Sequence, residues 1–266
     1  MLPKLLPAFI IIILLLAACQ PGGNTAVPPE PTQEAALESQ PTAAPTNTPE
    51  AEPDAPAILD QSAAAISQLN TLTQEDVMLV TSAAITSALQ QNCQYERPSS
   101  AYCRIESALK TAGRERPLTN EYEMLFLDGM VYTRQDTRPE WETVPDEALS
   151  GRGMINPQDG PFILNPGMVV EADVVGETAV DGTDVYEIEA IMDSVIITAL
   201  LGDVAAEMLP GLDKADIQGR FLIGKADNLP YLQEFTAVIS LQGETAEWQI
   251  TIRSAGFDEP VTIPQP

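Results

Sequence analysis

Three alternating segments near the end of the chain constrain its fold more than any other feature. Ile217, Gly219, Phe221 and Ile223 alternate with Gln218, Arg220 and Leu222. Phe235, Ala237, Ile239 and Leu241 alternate with Thr236, Val238 and Ser240. Trp248, Ile250 and Ile252 alternate with Gln249, Thr251 and Arg253. Side chains on a strand point to opposite faces with period two, so each segment reads as a strand with one apolar face. Turn signals at Asp227-Asn228 and at Glu244–Ala246 join the three into an antiparallel meander. An apolar sheet face needs a cover.

Two helices are available for that cover. The first is predicted from Ala57 to about Asn70. Pro56 is placed to start it, and Ile58, Leu59, Ala65, Ile66 and Leu69 lie along one side. The second is predicted over 194–209, with Asp193 or Ser194 as its cap and Pro210-Gly211 as its stop. Ile196, Leu200, Val204 and Met208 recur at intervals of four, with Leu201 beside them, and form a wide apolar stripe. That stripe reads either as ordinary core or as the wall of a pocket, because both are apolar.

Further strands are expected between the helices. Asp76–Ala84 and Thr86–Gln94 carry β-branched residues but alternate poorly. Tyr102–Leu109 and Asn120–Leu127 read better, and Asp128-Gly129 is a hairpin turn returning through Met130–Arg134. Arg138-Pro139-Glu140-Trp141-Glu142 is expected to end that pair. Val169–Glu177 and Val185–Ala190 form a second hairpin about Asp181-Gly182. The fold class predicted from these elements is α+β: a curved antiparallel sheet, or partial barrel, wrapped over helices.

The other end of the chain has a different character. Lys4 precedes an apolar run from Ala8 to Ala18, which is shorter than the roughly 20 residues that span a bilayer. Leu16-Ala17-Ala18-Cys19 follows, and this arrangement resembles a bacterial lipoprotein signal. The resemblance implies that residues 1–18 are removed. It also implies that Cys19 carries palmitate-like acyl chains, and that the chain is held on the extracytoplasmic side of a cell membrane. Residues 19–56 then form a lipidated cysteine and tether. Nine prolines, no aromatic and no basic residue fall within 20–56, too little apolar surface to offset the entropy of ordering. The remainder, 57–266, is long enough for one domain with a core of its own.

Composition excludes several functions. The chain holds 13 Lys and Arg against 39 Asp and Glu, a formal net charge of −26, so nucleic acid and anionic lipid surfaces repel it. The absence of any histidine removes the commonest general base and metal ligand. Serines such as Ser150 and Ser194 therefore have no imidazole partner. Carboxylate pairs such as Glu187 with Glu189, or Asp181 with Asp184, are expected by chance in so acidic a chain. No catalytic residue, metal site or cofactor is expected. Of the three cysteines, Cys93 and Cys103 flank a turn at Arg97-Pro98-Ser99-Ser100, and an exported chain meets oxidising conditions; a disulfide between them is expected.

Taken together, the order of elements resembles the LppX/LprG-type (LprAFG) bacterial lipoproteins, which share a LolA-like fold. The resemblance rests on Cys19, the tether and the opening helix. It also rests on Asp128-Gly129-Met130-Val131-Tyr132 with Trp141, on the meander from Gly219 to Ile252, and on the closing Pro260-Val261-Thr262-Ile263-Pro264. It implies a lipid or glycolipid ligand held between sheet and helices, for transport or presentation at the cell envelope. The ligand-facing candidates are Ile196, Leu200, Leu201, Val204 and Met208 on the second helix. On the meander they are Phe221, Ile223, Phe235, Ile239, Trp248 and Ile250. Arg114, Arg116 and Arg152 are the cations available at a rim. The alternative is a fully packed, non-catalytic surface lipoprotein serving as a scaffold for an envelope protein partner.

Overall fold

In the computed structural model the described residues are 53–98, 100–135, 138–144, 161–162, 164–196, 215–241 and 244–266. They form one α-helix, α1 (Ala55–Gln68), a 3-10 turn at Pro166–Met168, and eleven strands. The strands are β1 (Thr71–Ser82), β2 (Ile85–Glu96), β3 (Ser100–Thr111), β4 (Leu118–Leu127), β5 (Met130–Gln135) and β6 (Arg138–Val144). They continue with β7 (Val169–Val180), β8 (Thr183–Met192), β9 (Asp216–Gly224), β10 (Pro230–Leu241) and β11 (Glu244–Ala255).

All eleven belong to one sheet in the order β6-β5-β4-β3-β2-β1-β11-β10-β9-β8-β7, open between β6 and β7. Every neighbouring pair is antiparallel, and the meander predicted over β9–β11 is present. The sole departure from hairpin succession is the pairing of β1 with β11, which joins the two ends of the domain at the sheet's centre. Two hairpins turn on residues with positive φ, as type I′ turns require: Asp128 and Gly129 at 52° and 77°, Asp181 and Gly182 at 48° and 86°.

Helix α1 crosses one face of this sheet. Its buried side is Ala55, Ile58, Leu59, Ser62 and Ile66. It packs against β7 and β9. Arg97, in the β2–β3 turn, donates to the carbonyls of Ile66 (3.2 Å) and Ser67 (2.5 Å), meeting acceptors that a helix end leaves unpaired. Fourteen residues of helix span about 21 Å. The distance from β7 to β2 along a flat sheet is six strand spacings, about 29 Å. The sheet therefore curls around the helix, as a partial barrel would.

Several expectations shift. The opening helix begins at Ala55 and ends at Gln68, with Asp54 as its N-cap residue. Glu244–Ala246 is not a turn; these residues lie in β11, where Glu244 pairs with Leu241. The Arg138–Glu142 segment is itself strand β6, paired with β5. Of the helix expected over 194–209, only the start is described: the Asp193 carboxylate accepts from the Val195 amide at 2.9 Å, as a cap does, and Ile196 is fully buried. Residues 197–214 lie outside the described residues, so the helical share of the fold rests on α1.

Candidate functional site

The meander residues named from sequence do share one face. Ile196, Phe221, Ile223, Phe235, Ile239 and Trp248 are buried in a single cluster with Ile58 and Leu59 of α1, and Ile250 packs partly buried against it. Phe235 stands edge-on to both Phe221 and Phe162, with ring centres 5.7 and 5.8 Å apart. Leu200, Leu201, Val204 and Met208 lie outside the described residues, as does Cys19. A second cluster continues the apolar face across β1–β6, from Ile66 and Leu72 through Ile105 to Val131 and Val144. Met78 packs against both clusters.

Cys93 and Cys103 face each other across β2 and β3 and are joined by a disulfide. Their side chains lie on the same face, inside the second cluster.

The interior face is not uniformly apolar. Strand β1 directs Leu72, Gln74, Asp76 and Val80 inward, and Gln74 and Asp76 are almost wholly buried. Asp76 sits opposite Ile252 of β11 and Gln91 of β2, and beyond Ile252 the same row holds Gln233 of β10. In the adjoining row Gln74 lies between Ser254 of β11 and Cys93 of β2. Gln74 Nε2 donates to Asp76 Oδ1 at 2.7 Å. Asp76 Oδ2, Gln74 Oε1, Gln233 Nε2 and Ser254 Oγ are buried with no hydrogen-bond partner, as is Trp248 Nε1. Burial pushes the Asp76 carboxyl up to about 7, with the neighbouring charge of Glu75 adding to the rise against the Gln74 hydrogen bond.

This polar row is what sequence reading missed. Its trace was the weak alternation over β1 and β2. Inward positions there carry Gln74, Asp76, Ser87 and Gln91, so the period of two survives in burial but not in hydropathy.

Two spaces flank the sheet. Between α1 and the sheet lies a gap of about 10 Å³, lined by Leu59, Ser62, Ile66, Leu164, Phe221 and Gln233 among others. On the opposite face a groove of about 640 Å³ runs over β7–β11, past Glu171, Asp173, Glu189, Arg220, Glu234 and Gln249. Arg220 is clamped there between Glu187 and Glu234, both at 2.7 Å. Those carboxylates raise the Arg220 pKa further, Glu234 most strongly. On the same outer face Glu123 accepts from Arg134, from Arg104 at 3.3 Å and from the Tyr102 hydroxyl at 2.5 Å. Partial burial works against Glu123, but these donors outweigh it and hold its pKa low. Glu187 is thus an ion-pair partner, and Asp181 a turn residue. Arg114 and Arg116 are exposed near the β3–β4 connection, and Arg152 lies outside the described residues.

No family model and no curated protein matches the chain. Solved structures do. LprF from Mycobacterium bovis is similar over 79% of this chain and 96% of its own, at 17% identity and a TM-score of 0.49. LppX, a lipoprotein of Mycobacterium tuberculosis, is similar over 79% of this chain and 97% of its own, at 14% identity and a TM-score of 0.45. The MucA/MucB complex of Pseudomonas aeruginosa is similar over 77% of this chain and 58% of the matched chain, at 13% identity and a TM-score of 0.34. The likeness to LppX and its kin expected from the order of elements is therefore found among solved structures.

Proposed function

We propose that this chain is an acyl-anchored, extracytoplasmic lipoprotein that binds a lipid or glycolipid between α1 and the sheet, for transport or presentation at the cell envelope. The observation that carries this reading is the large, mainly apolar interior face of an open eleven-stranded sheet, crossed by one short helix among the described residues. The signal ending at Cys19 supports the anchor, and the acidic tether supports a stand-off from anionic headgroups. In this state the gap under α1 is about 10 Å³, so the reading requires α1 to move. Its C-terminal end is pinned by Arg97 and, one turn on, by Asp258, which accepts from the Asn70 amide at 2.7 Å. Its N-terminal half meets the sheet through Ala55, Ile58 and Leu59, apolar contacts that slide or separate without breaking directed bonds. Each CH₂ of an acyl chain entering the opened space contributes about 0.8 kcal/mol.

Native mass spectrometry of the chain from residue 19, carrying Cys19→Ser to prevent acylation, tests the reading. The expected result is a stoichiometric lipid, bound as purified or after incubation with a bacterial lipid extract. A protein that stays lipid-free under both conditions refutes it. The second reading, a scaffold for an envelope protein, is favoured by the polar groove of about 640 Å³ on the other face. A protein partner lost on Arg220→Glu, with lipid binding absent, would establish it instead.

A further inference from the structure

Besides Trp248 Nε1, four polar atoms stand unpaired on the interior face, on three adjacent strands at the centre of the sheet. They are Asp76 Oδ2 and Gln74 Oε1 on β1, Ser254 Oγ on β11 and Gln233 Nε2 on β10. All four residues are at least nine-tenths buried. Folded chains satisfy buried polar groups or replace them by apolar ones, because an orphan forfeits its hydration without a return. Gln74 to Asp76 is the one hydrogen bond between these four side chains, and it leaves Asp76 Oδ2 and Gln74 Oε1 open. Gln233 also lines the gap beneath α1, next to Ser62. Gln233 therefore borders the space that the preceding reading assigns to a ligand, and Asp76, Gln74 and Ser254 continue from it on the same sheet face.

The chemistry of the row restricts that ligand. Gln74 Oε1 accepts, Gln233 Nε2 donates, Ser254 Oγ does either, and the protonated Asp76 carboxyl, its Oδ1 already taken by Gln74, donates from Oδ2, so the group they receive must both donate and accept, as a hydroxyl does. Arg104, Arg134, Arg220 and Arg253 all sit on the outer face, in ion pairs with Glu123, Glu187, Glu234 and Glu75. An anionic headgroup would meet the Asp76 carboxyl with no cation beside it among the described residues. Asp76 itself holds its proton to about neutral pH, and a neutral carboxyl suits a neutral partner.

We infer, resting on the lipid-binding reading, that Asp76, Gln74, Ser254 and Gln233 form a subsite for the hydroxyl groups of an uncharged amphiphile, and that this subsite selects against anionic lipids. The hydroxyls donate to Gln74 Oε1, accept from the protonated Asp76 Oδ2 and exchange bonds with Ser254. A hydroxyl oxygen accepts from Gln233, and the hydrocarbon runs along the Phe221–Phe235–Trp248 face.

The test uses three C18 amphiphiles with one hydrocarbon chain and different heads: monoolein, oleate and oleylamine. Binding to the chain from residue 19 (Cys19→Ser) is measured by displacement of a fluorescent fatty-alcohol probe, beside Asp76→Leu and the milder Gln74→Leu. Asp76→Leu replaces a buried carboxyl by an apolar side chain of similar size and is expected to fold, which circular dichroism checks; Gln74→Leu repeats the test without touching a charge. The expected result is monoolein at least tenfold tighter than oleate in the parent chain, with that preference lost in both variants. Equal affinity for all three, unchanged by either substitution, overturns the subsite and leaves the carrier reading standing. Tightest binding by oleylamine also overturns it, since Asp76 would then serve as a counter-ion. Binding of none of the three, together with a lipid-free native mass, removes the carrier reading and the subsite with it.

Discussion

Asp76 makes the most direct quantitative prediction. Its carboxyl titrates near 3.8 in an unfolded chain and near 7 in the folded one. Between those values the folded state holds a proton that the unfolded state has released, so stability falls as pH rises through this window and levels off above about 7. Each pKa unit corresponds to about 1.4 kcal/mol, so the full window is worth about 4 kcal/mol, of which about 3 falls between pH 5 and 8. The chain has no histidine to add a titration there. The other carboxylates with shifted values, Glu123 and Asp258, are held low, so the stability they contribute is present at pH 5 and is lost only in stronger acid. The perturbation is Asp76→Asn, and the assay is guanidinium unfolding at pH 5, 6, 7 and 8. The parent chain should lose about 3 kcal/mol across the series, and the variant should be flat to within a few tenths. Parallel pH profiles for the two proteins would refute the reasoning, because they would place the Asp76 carboxylate in water or beside a donor.

Three further outcomes follow from other parts of the structure. Cys93→Ser with Cys103→Ser, or reduction of the parent chain, should lower stability by roughly 2–3 kcal/mol in the same unfolding assay, since the bond closes a loop across a sequence separation of 10. Gly219→Val should cost on the order of 1–3 kcal/mol. A Cβ there would lie 2.8 Å from the Phe221 ring and 3.2 Å from Met192 Sδ, both in the closed interior. Cys19→Ala should move the protein from the membrane pellet to the soluble fraction of its native cell type. Retention in the pellet would show that acyl chains are not what holds it.

How much was legible in advance depended on whether a residue's local pattern agreed with its burial. The β9–β11 meander was readable because Ile217, Phe235 and Trp248 alternate with polar neighbours and truly face the core. The hairpins at Asp128-Gly129 and Asp181-Gly182 were readable because type I′ geometry demands positive φ at two successive residues. The bounds of β1 and β2 were not, because Gln74, Asp76 and Gln91 break the hydropathy alternation while obeying the burial alternation. A turn was misplaced at Glu244–Ala246 because β11 already begins there: Glu244 pairs with Leu241 three residues back, and Ala246 pairs with Ser82 of β1, a long-range partner that no local window contains.

By itself the sequence determined the antiparallel character of the sheet, the pair of cysteines and the exclusion of histidine chemistry. Each follows from composition or from a period within a dozen residues. Only the tertiary structure decided that β1 pairs with β11, bringing residues some 180 positions apart into one central sheet. That pairing sets Ser254 beside Gln74 and carries the row from Asp76 to Gln233. Strand register is a long-range agreement between hydrogen-bond ladders and burial, and no local window contains it.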